Sequence, residues 1–295
     1  MLDTHLENCI IQKEYKTRHF LSFCFALGFP MIKIERQAKI LQVIRERGYV
    51  ENDELARLFN VTSATIRRDL KTLSQQNLVR LDHGGSSDVN LLESLTEPAY
   101  ETKVYVNHES KRLIGQAAAN LVRDGDTILL DSGTTNACVA QSLRNTRLRN
   151  LTVITCDIMV AKELGAEQNI NVLVLGGILR HSFYSLYGPY TEMVLKNLRA
   201  DKFFLGVDAV SIEHGVSNIV LEEVPIKQLM ITNSTQVIMI ADGSKFGRNA
   251  PYRVCAFDAV HQVITDHCID TGYLNFFEEH AIQTTVVRPE PGPCE

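Results

Sequence analysis

The sequence predicts an α/β chain in two parts: a small helical module closed by a hairpin, then a larger domain on a mostly parallel sheet. Apolar residues recur at helical spacing in short segments between Arg36 and Leu73. From Ser110 onward, short apolar strands without polar alternation are interleaved with helical stretches. The 295 residues are enough for two folded units.

In the first module Ile40, Leu41 and Ile44 share one helical face, and Gly48 ends that helix. A second short helix runs through Leu55, Ala56 and Leu58, with Asn52 or Asp53 placed to cap it. Asn60 and Val61 turn the chain. Thr62 then caps a third helix whose Ile66, Leu70 and Leu73 face inward. Thr65, Arg67, Arg68 and Lys71 are left outward or along its edges. Leu78 to Leu81 reads as a strand, and His83-Gly84-Gly85 as the turn of a wing. This is the outline of a winged helix-turn-helix. Hydroxyls and guanidiniums at the start of an exposed helix are what phosphate and base-edge contacts require. The candidate DNA contacts are Thr62, Ser63, Thr65, Arg67, Arg68, Lys71 and His83. The bland alternative is a three-helix bundle with a solvated basic face. Asp69 would repel phosphate, so it is expected to brace the fold by pairing with Arg67, Arg68 or Arg80, or by capping a neighbouring helix. Charge agrees in sign: 31–87 carries 10 Lys+Arg against 7 Asp+Glu, net +3, and 88–295 carries 17 against 25, net −8.

Residues 88–109 contain Pro98 in mixed polar sequence and read as a linker to a domain spanning 110–295. There Lys111 to Val122 is an amphipathic helix, Thr127 to Leu130 a buried strand, Asn136 to Leu143 a helix and Leu151 to Thr155 a strand. Further strands are expected at Val172 to Leu175, Phe203 to Val207, Val237 to Ala241, Val263 to Thr265 and Thr284 to Val287. In such sheets ligands bind beyond the carboxyl ends of the strands. Three strand ends carry polar, glycine-containing loops. Asp131-Ser132-Gly133-Thr134-Thr135 offers hydroxyls, a close backbone and the start of a helix, which together suit an anion. Read without a ligand, the same loop is a capped turn. Gly176-Gly177 brings backbone close to a ligand or forms a turn. Asp242 to Gly247 carries Lys245, a cation for a phosphate or a solvated lysine. Asp208 ends another strand. Asp131, Asp208 and Asp242 cannot all face a phosphate, so some should accept from sugar hydroxyls and one should pair with Lys245.

Hydrophobic content of 45% and net charge −5 describe a globular protein whose contact with DNA is local. Seven cysteines form no C-x-x-C pair, which points to free thiols in a reducing, cytoplasmic setting. Asp266-His267-Cys268 lacks a second spaced pair, so no metal or other cofactor is expected. Residues 1–30 combine a basic stretch with the apolar run Phe20 to Phe29, too short to span a bilayer as a helix. They read either as an upstream artefact of a start at Met31 or as an arm packed on the body.

The spacing of Arg36, Ile40, Ile44 and Thr62, followed by TIRRDL, resembles the DeoR family of bacterial transcriptional regulators. The motifs DGDTILLDSGTT, the LGG turn with Leu179-Arg180, ADKFFLGVDAV and ADGSKFG resemble that family's sensing domain, from about Lys111 to Asp266. The resemblance implies a sheet related to sugar-phosphate isomerases and a phosphorylated sugar that releases the repressor from DNA. It places Asp131, Ser132, Gly133, Thr134, Thr135, Asp208 and Lys245 at the effector site, with Glu223 and Lys227 lining it and Gly176 in the neighbouring turn. The chain departs from the pattern at Cys156, Gly243 and Val224-Pro225. The expected function is a transcriptional repressor of a carbohydrate-utilisation operon, acting as a homo-oligomer. The alternative is an isomerase-like enzyme with Lys245 beside Asp131, Asp208 or Glu223. Ser132 is not a nucleophile of the elbow type, because no G-x-S-x-G surrounds it.

Overall fold

The computed structural model describes residues 31–89, 97–144 and 146–289. The upstream arm, with either reading of it, lies outside the described residues.

The first module comprises α1 (Lys33–Arg47), β1 (Tyr49–Glu51), α2 (Asn52–Leu58), α3 (Ser63–Gln75), β2 (Val79–Asp82) and β3 (Gly85–Asp88). Ile40, Leu41, Ile44, Leu55, Ile66, Leu70 and Leu73 form one buried cluster. The Thr62 hydroxyl accepts from the Thr65 N–H at 3.2 Å and caps α3. The cap position of α2 is Glu51, without a side-chain bond, so neither Asn52 nor Asp53 caps it. Asp53 instead accepts from Ser63 Oγ at 2.7 Å and ties α2 to α3. The wing is larger than a hairpin: β1 pairs with β3, which pairs with β2, all antiparallel.

Asp69 braces the module, but with other partners than the sequence indicated. Its carboxylate accepts from Arg36 Nε at 2.7 Å and Gln37 Nε2 at 2.9 Å, and Asp69 is 1% exposed. Arg67 and Arg68 are exposed and form no ion pair with Asp69 among the described residues, and Arg80 lies instead beside Asp82 at 3.3 Å. The pair fixes the angle between α1 and the helix that bears the candidate DNA contacts.

Residues 97–107 are not a passive linker. They form α4 (Tyr100–Tyr105), which packs against α1. The second domain continues through α5 (His108–Ala119), β4 (Thr127–Leu130), α6 (Thr134–Leu143), β5 (Leu151–Thr155), α7 (Ile158–Leu164) and β6 (Ile170–Val174). A small hairpin, β7 (Ile178–Leu179) and β8 (Leu186–Tyr187), precedes α8 (Pro189–Leu195) and β9 (Ala200–Gly206). Then come β10 (Ala209–Ser211), β11 (Gly215–Asn218), α9 (Val224–Thr232), β12 (Ser234–Ile240), β13 (Tyr252–Cys255), β14 (Gln262–Asp266), α10 (Thr271–Glu279) and β15 (Gln283–Val287).

Seven strands form one parallel sheet in the order β15-β14-β12-β9-β4-β5-β6. Both faces are apolar, which is why the strands lack polar alternation. Leu129, Phe203, Leu205 and Met239 face one core with α8, α9 and α10. Ile128, Leu130, Phe204 and Ile240 face the other with α5, α6 and α7. The chain winds outward from β4 through β5 to β6, then returns to place β9 on the other side of β4. That reversal opens a crevice beyond the carboxyl ends of β4 and β9. The short sheet β10-β11-β13 and the hairpin β7-β8 stand outside the sequence reading. Pro225 lies in the first turn of α9, where no helical hydrogen bond is lost, so the Val224-Pro225 departure is accommodated. Among the described residues no helix is long and apolar enough to cross a membrane.

Asp69→Ala leaves the Arg36 guanidinium buried without its partner. We expect it to destabilise the first module by about 3–5 kcal/mol in urea unfolding of the full chain. A change below about 0.5 kcal/mol would mean that the pair is not a brace.

Candidate functional site

The crevice holds a pocket of about 620 Å³, its open mouth included. Of the residues singled out from sequence, Ser132, Gly133, Thr134, Thr135, Asp208, Glu223, Lys227 and Lys245 line it; Asp131 and Gly176 do not.

Asp131 lies behind the pocket. Its Oδ2 accepts from Lys227 Nζ at 2.5 Å and from Gly206 N–H at 3.0 Å, and its Oδ1 accepts from Ser132 N–H at 2.8 Å. Lys227 also donates to Gly206 O at 3.0 Å. Burial opposes the ammonium charge, but Asp131 and Glu223 outweigh it and hold the Lys227 pKa above its ordinary value. The carboxylate is therefore a brace between β4, β9 and α9. Gly176 is a turn: its carbonyl accepts from Thr191 Oγ1 at 2.6 Å. A Cβ on Gly177 would lie 2.5 Å from Tyr187 O, so that turn needs glycine.

Past Asp131 the loop rises into α6. Gly133 has φ +112°, a conformation open to glycine, and its N–H donates to Asp157 Oδ2 at 2.8 Å. Thr134, Thr135 and Asn136 follow along the pocket, and the helix start has no side-chain cap. An uncapped helix N-terminus favours an anion. Asn136 adds a second signal. It is fully buried and borders the pocket, and neither its Oδ1 nor its Nδ2 has a hydrogen-bond partner among the described residues. A buried orphan amide costs about 1–3 kcal/mol, which a ligand with hydroxyls or an oxyanion can recover.

Lys103, Lys111, Arg180, Lys227 and Lys245 also line the pocket. Among the described residues no carboxylate stands within ion-pair distance of Lys245, so the expected Lys245 pair is not formed. Asp242 is held instead by the Ser244 hydroxyl and by Asn107 Nδ2 at 2.8 Å. Burial lowers the Lys245 pKa, with Asp242 acting against it. Burial likewise takes Lys111 down to about 7; Asp242 opposes that, while Lys245 and Lys103 add to it. Lys111 Nζ donates to Lys103 O at 2.6 Å. An oxyanion here would restore favourable charge to both lysines.

Asp208 accepts from Ile219 N–H at 3.0 Å and lies 4.0 Å from Lys103 Nζ. Glu223 accepts from Arg180 at 3.1 Å, Ser185 Oγ at 2.8 Å and Asn218 Nδ2 at 3.2 Å. Glu97 bonds Lys103 and, at 2.6 Å, Arg180 Nη2. Each of these pocket carboxylates already has donors. Sequence reasoning missed Glu97, Tyr100, Lys103, Lys111, Asn136, Arg180 and Asn218 as pocket residues. Lys111 carried a usable signal, because it shares the buried face of α5 with Ile114 and Ala118.

At the other end of the chain, α3 exposes Arg67, Arg68 and Lys71. Thr62 is exposed and its hydroxyl lies 3.0 Å from that of half-buried Thr65. Ser63 is half-buried with its hydroxyl on Asp53, and His83 is exposed at the wing turn. The ligand atoms of Asp266, His267 and Cys268 lie within 4.8 Å of one another, and Asp266 Oδ1 also accepts from Gly243 N–H at 3.1 Å and Cys268 N–H at 3.0 Å. A Cβ on Gly243 would lie 2.6 Å from the Cys268 backbone, so this packing accounts for glycine at that departure.

Asn136→Ala is expected to change the stability of the ligand-free chain by less than about 1 kcal/mol, because it removes an orphan amide. The same change should weaken pocket ligands about tenfold, as read by calorimetry. A large loss of stability with unchanged binding would show the amide to be structural.

The DeoR-like helix-turn-helix domain matches residues 36–90, and the DeoR C-terminal sensor domain matches residues 106–267. An uncharacterized HTH-type transcriptional regulator of Bacillus subtilis (strain 168), YulB, is 33% identical over 87% of this chain and 98% of its own length. The glycerol-3-phosphate regulon repressor of Escherichia coli (strain K12) is 31% identical over 86% of this chain and 98% of its own length. Ribose 5-phosphate isomerase from Plasmodium falciparum is a weak structural match, 20% identical over 47% of this chain and 53% of that one, with a TM-score of 0.34. The chain belongs to the DeoR family of helix-turn-helix transcriptional regulators.

Proposed function

We propose that the chain is a cytoplasmic repressor of a carbohydrate-utilisation operon, released from DNA when a phosphorylated sugar enters the pocket. The observation that carries the ligand class is the coincidence of three features in one crevice. An uncapped helix start, Lys245 with no carboxylate at ion-pair distance among the described residues, and the amide of Asn136 without a hydrogen-bond partner among them all line it. An oxyanion satisfies the first two, and an oxyanion or a hydroxyl the third. The E. coli relative named for glycerol 3-phosphate supports a small phosphorylated polyol or sugar. Arg67, Arg68 and Lys71 on α3, with His83 on the wing, supply the DNA contacts. The isomerase reading is the weaker one. Of the carboxylates it would use beside Lys245, Asp131 is locked to Lys227 behind the pocket and Glu223 is weakened as a base by donors from Arg180, Ser185 and Asn218, which leaves Asp208.

Oligomerisation belongs to the same proposal. Strand β6 ends the sheet and exposes Leu173 and Val174. Ile178 and Leu179 on the hairpin, with Tyr190 and Met193 on α8, add further exposed apolar side chains. An apolar sheet edge of this kind favours association with a second copy. Sedimentation should show a dimer or larger, and Val174→Lys with Met193→Glu should lower the mass. A monomeric wild-type chain at micromolar concentration contradicts this part.

Two substitutions separate the modules. Arg67→Ala should weaken DNA binding and reduce the salt slope by about 1, with pocket binding intact. Lys245→Ala should keep DNA binding but lose release by phosphorylated sugars, a coupling of about 1–3 kcal/mol, or 5–150-fold in DNA affinity. Release that survives Lys245→Ala unchanged would put the anion elsewhere.

A further inference from the structure

Residues 97–107 run along the rim of the pocket, and Glu97, Tyr100 and Lys103 line it. This strap is held at several points. Tyr100 N–H donates to Ser182 O at 3.0 Å, and Tyr184 OH donates to Glu101 at 2.6 Å. The rings of Tyr100 and Tyr184 meet edge to face at 5.6 Å. Asn107 closes the far end on Asp242 at 2.8 Å. The same strap carries α4, which packs against α1 of the DNA module.

The charge that fastens the strap to the pocket is Glu97. Its side chain is 8% exposed. One carboxylate oxygen takes Arg180 Nη2 at 2.6 Å and the other takes Lys103 Nζ. Arg180 reaches Glu223 with its other nitrogen, and Lys103 faces Asp208 at 4.0 Å. All five groups line the same pocket.

We propose that Glu97 is an internal counter-ion latch: an oxyanion entering the pocket competes with its carboxylate for Arg180, the cation that ties the strap across to the pocket wall, and for Lys103 within the strap itself, so that the Glu97 end of the strap is released and the DNA module held through α4 and α1 is loosened. The proposal rests on the reading that the pocket takes an anion. The competition is one of like chemistry, since carboxylate and phosphate accept the same charge-assisted hydrogen bonds from guanidinium and ammonium. A phosphate monoester near neutral pH carries about −1.5 to −2, against −1 for Glu97, and has more acceptor oxygens. Linkage then requires reciprocity. Whatever tightens the Glu97 contacts weakens the anion, and whatever removes them strengthens it.

The test uses the full chain, inorganic phosphate as the probe and chloride at matched ionic strength as the control. Binding is read by calorimetry and strap opening by hydrogen exchange of residues 97–105. In wild type, phosphate should speed exchange of the strap by about fivefold or more, the low end of an allosteric coupling. Glu97→Gln should exchange fast without phosphate and bind phosphate about fivefold more tightly. The wild-type arm needs no variant to fold. Phosphate that binds wild type while the strap is unchanged or slowed overturns the latch alone, as does a folded Glu97→Gln chain that binds phosphate no tighter. Absence of any phosphate binding in both chains overturns the anion reading, and the latch with it.

Discussion

The buried ion pair of Asp131 and Lys227 is the constraint on which the rest of the site depends. At 2.5 Å, with both side chains almost fully buried, it joins the end of β4 to α9. Two backbone N–H groups share the carboxylate, and the carbonyl of Gly206 shares the ammonium. Such a pair contributes little net stability over an apolar equivalent, yet breaking it by removing one partner is costly. Its value here is geometric. It turns the carboxylate of the DSGTT loop away from the crevice and neutralises it there. The loop can then present Ser132 and the start of α6 to an anion without a bare negative charge beside it.

With that carboxylate withdrawn, the crevice is lined by an open helix end and by five cations, with Glu97, Asp208 and Glu223 among them. The cations divide by how they are held. Lys227 is locked to Asp131, Arg180 and Lys103 are shared with Glu97, and Lys245 has no ion-pair partner among the described residues. The division bears on the proposed latch, because Arg180, which bonds Glu97 on the rim and Glu223 in the pocket, is the cation that joins the two. The rim is built from the chain that leaves the DNA module. Architecture therefore places the two functions in contact without any long relay between them.

Much of the fold was legible because its physics is local or periodic. Thr62 capping α3, the inward run of Ile66, Leu70 and Leu73, and the doubly buried strands all follow from spacing alone. Long-range pairing was less accessible. Asp69 was correctly read as a brace, but Arg36 stands 33 positions away and nothing nearby in sequence marks it as the partner. The same limit explains Asp131. Its motif looks like a ligand contact, and only the approach of Lys227, 96 positions on, shows that its charge is spent inside. Glu97 and Lys103 lie in polar sequence with no periodicity to distinguish them from a linker. Asn136 appeared as an ordinary helix start, and its unmet amide became visible only once the sheet had been folded around it.

If the pocket takes an oxyanion attached to a small polyol or sugar, the thermal stability of the purified chain must distinguish phosphorylated sugars from the same sugars lacking phosphate. At least one phosphorylated compound should raise the melting temperature, with no rise from its unphosphorylated counterpart at equal concentration. Equal stabilisation by the two forms, or none across a broad panel, would contradict that reading of the pocket.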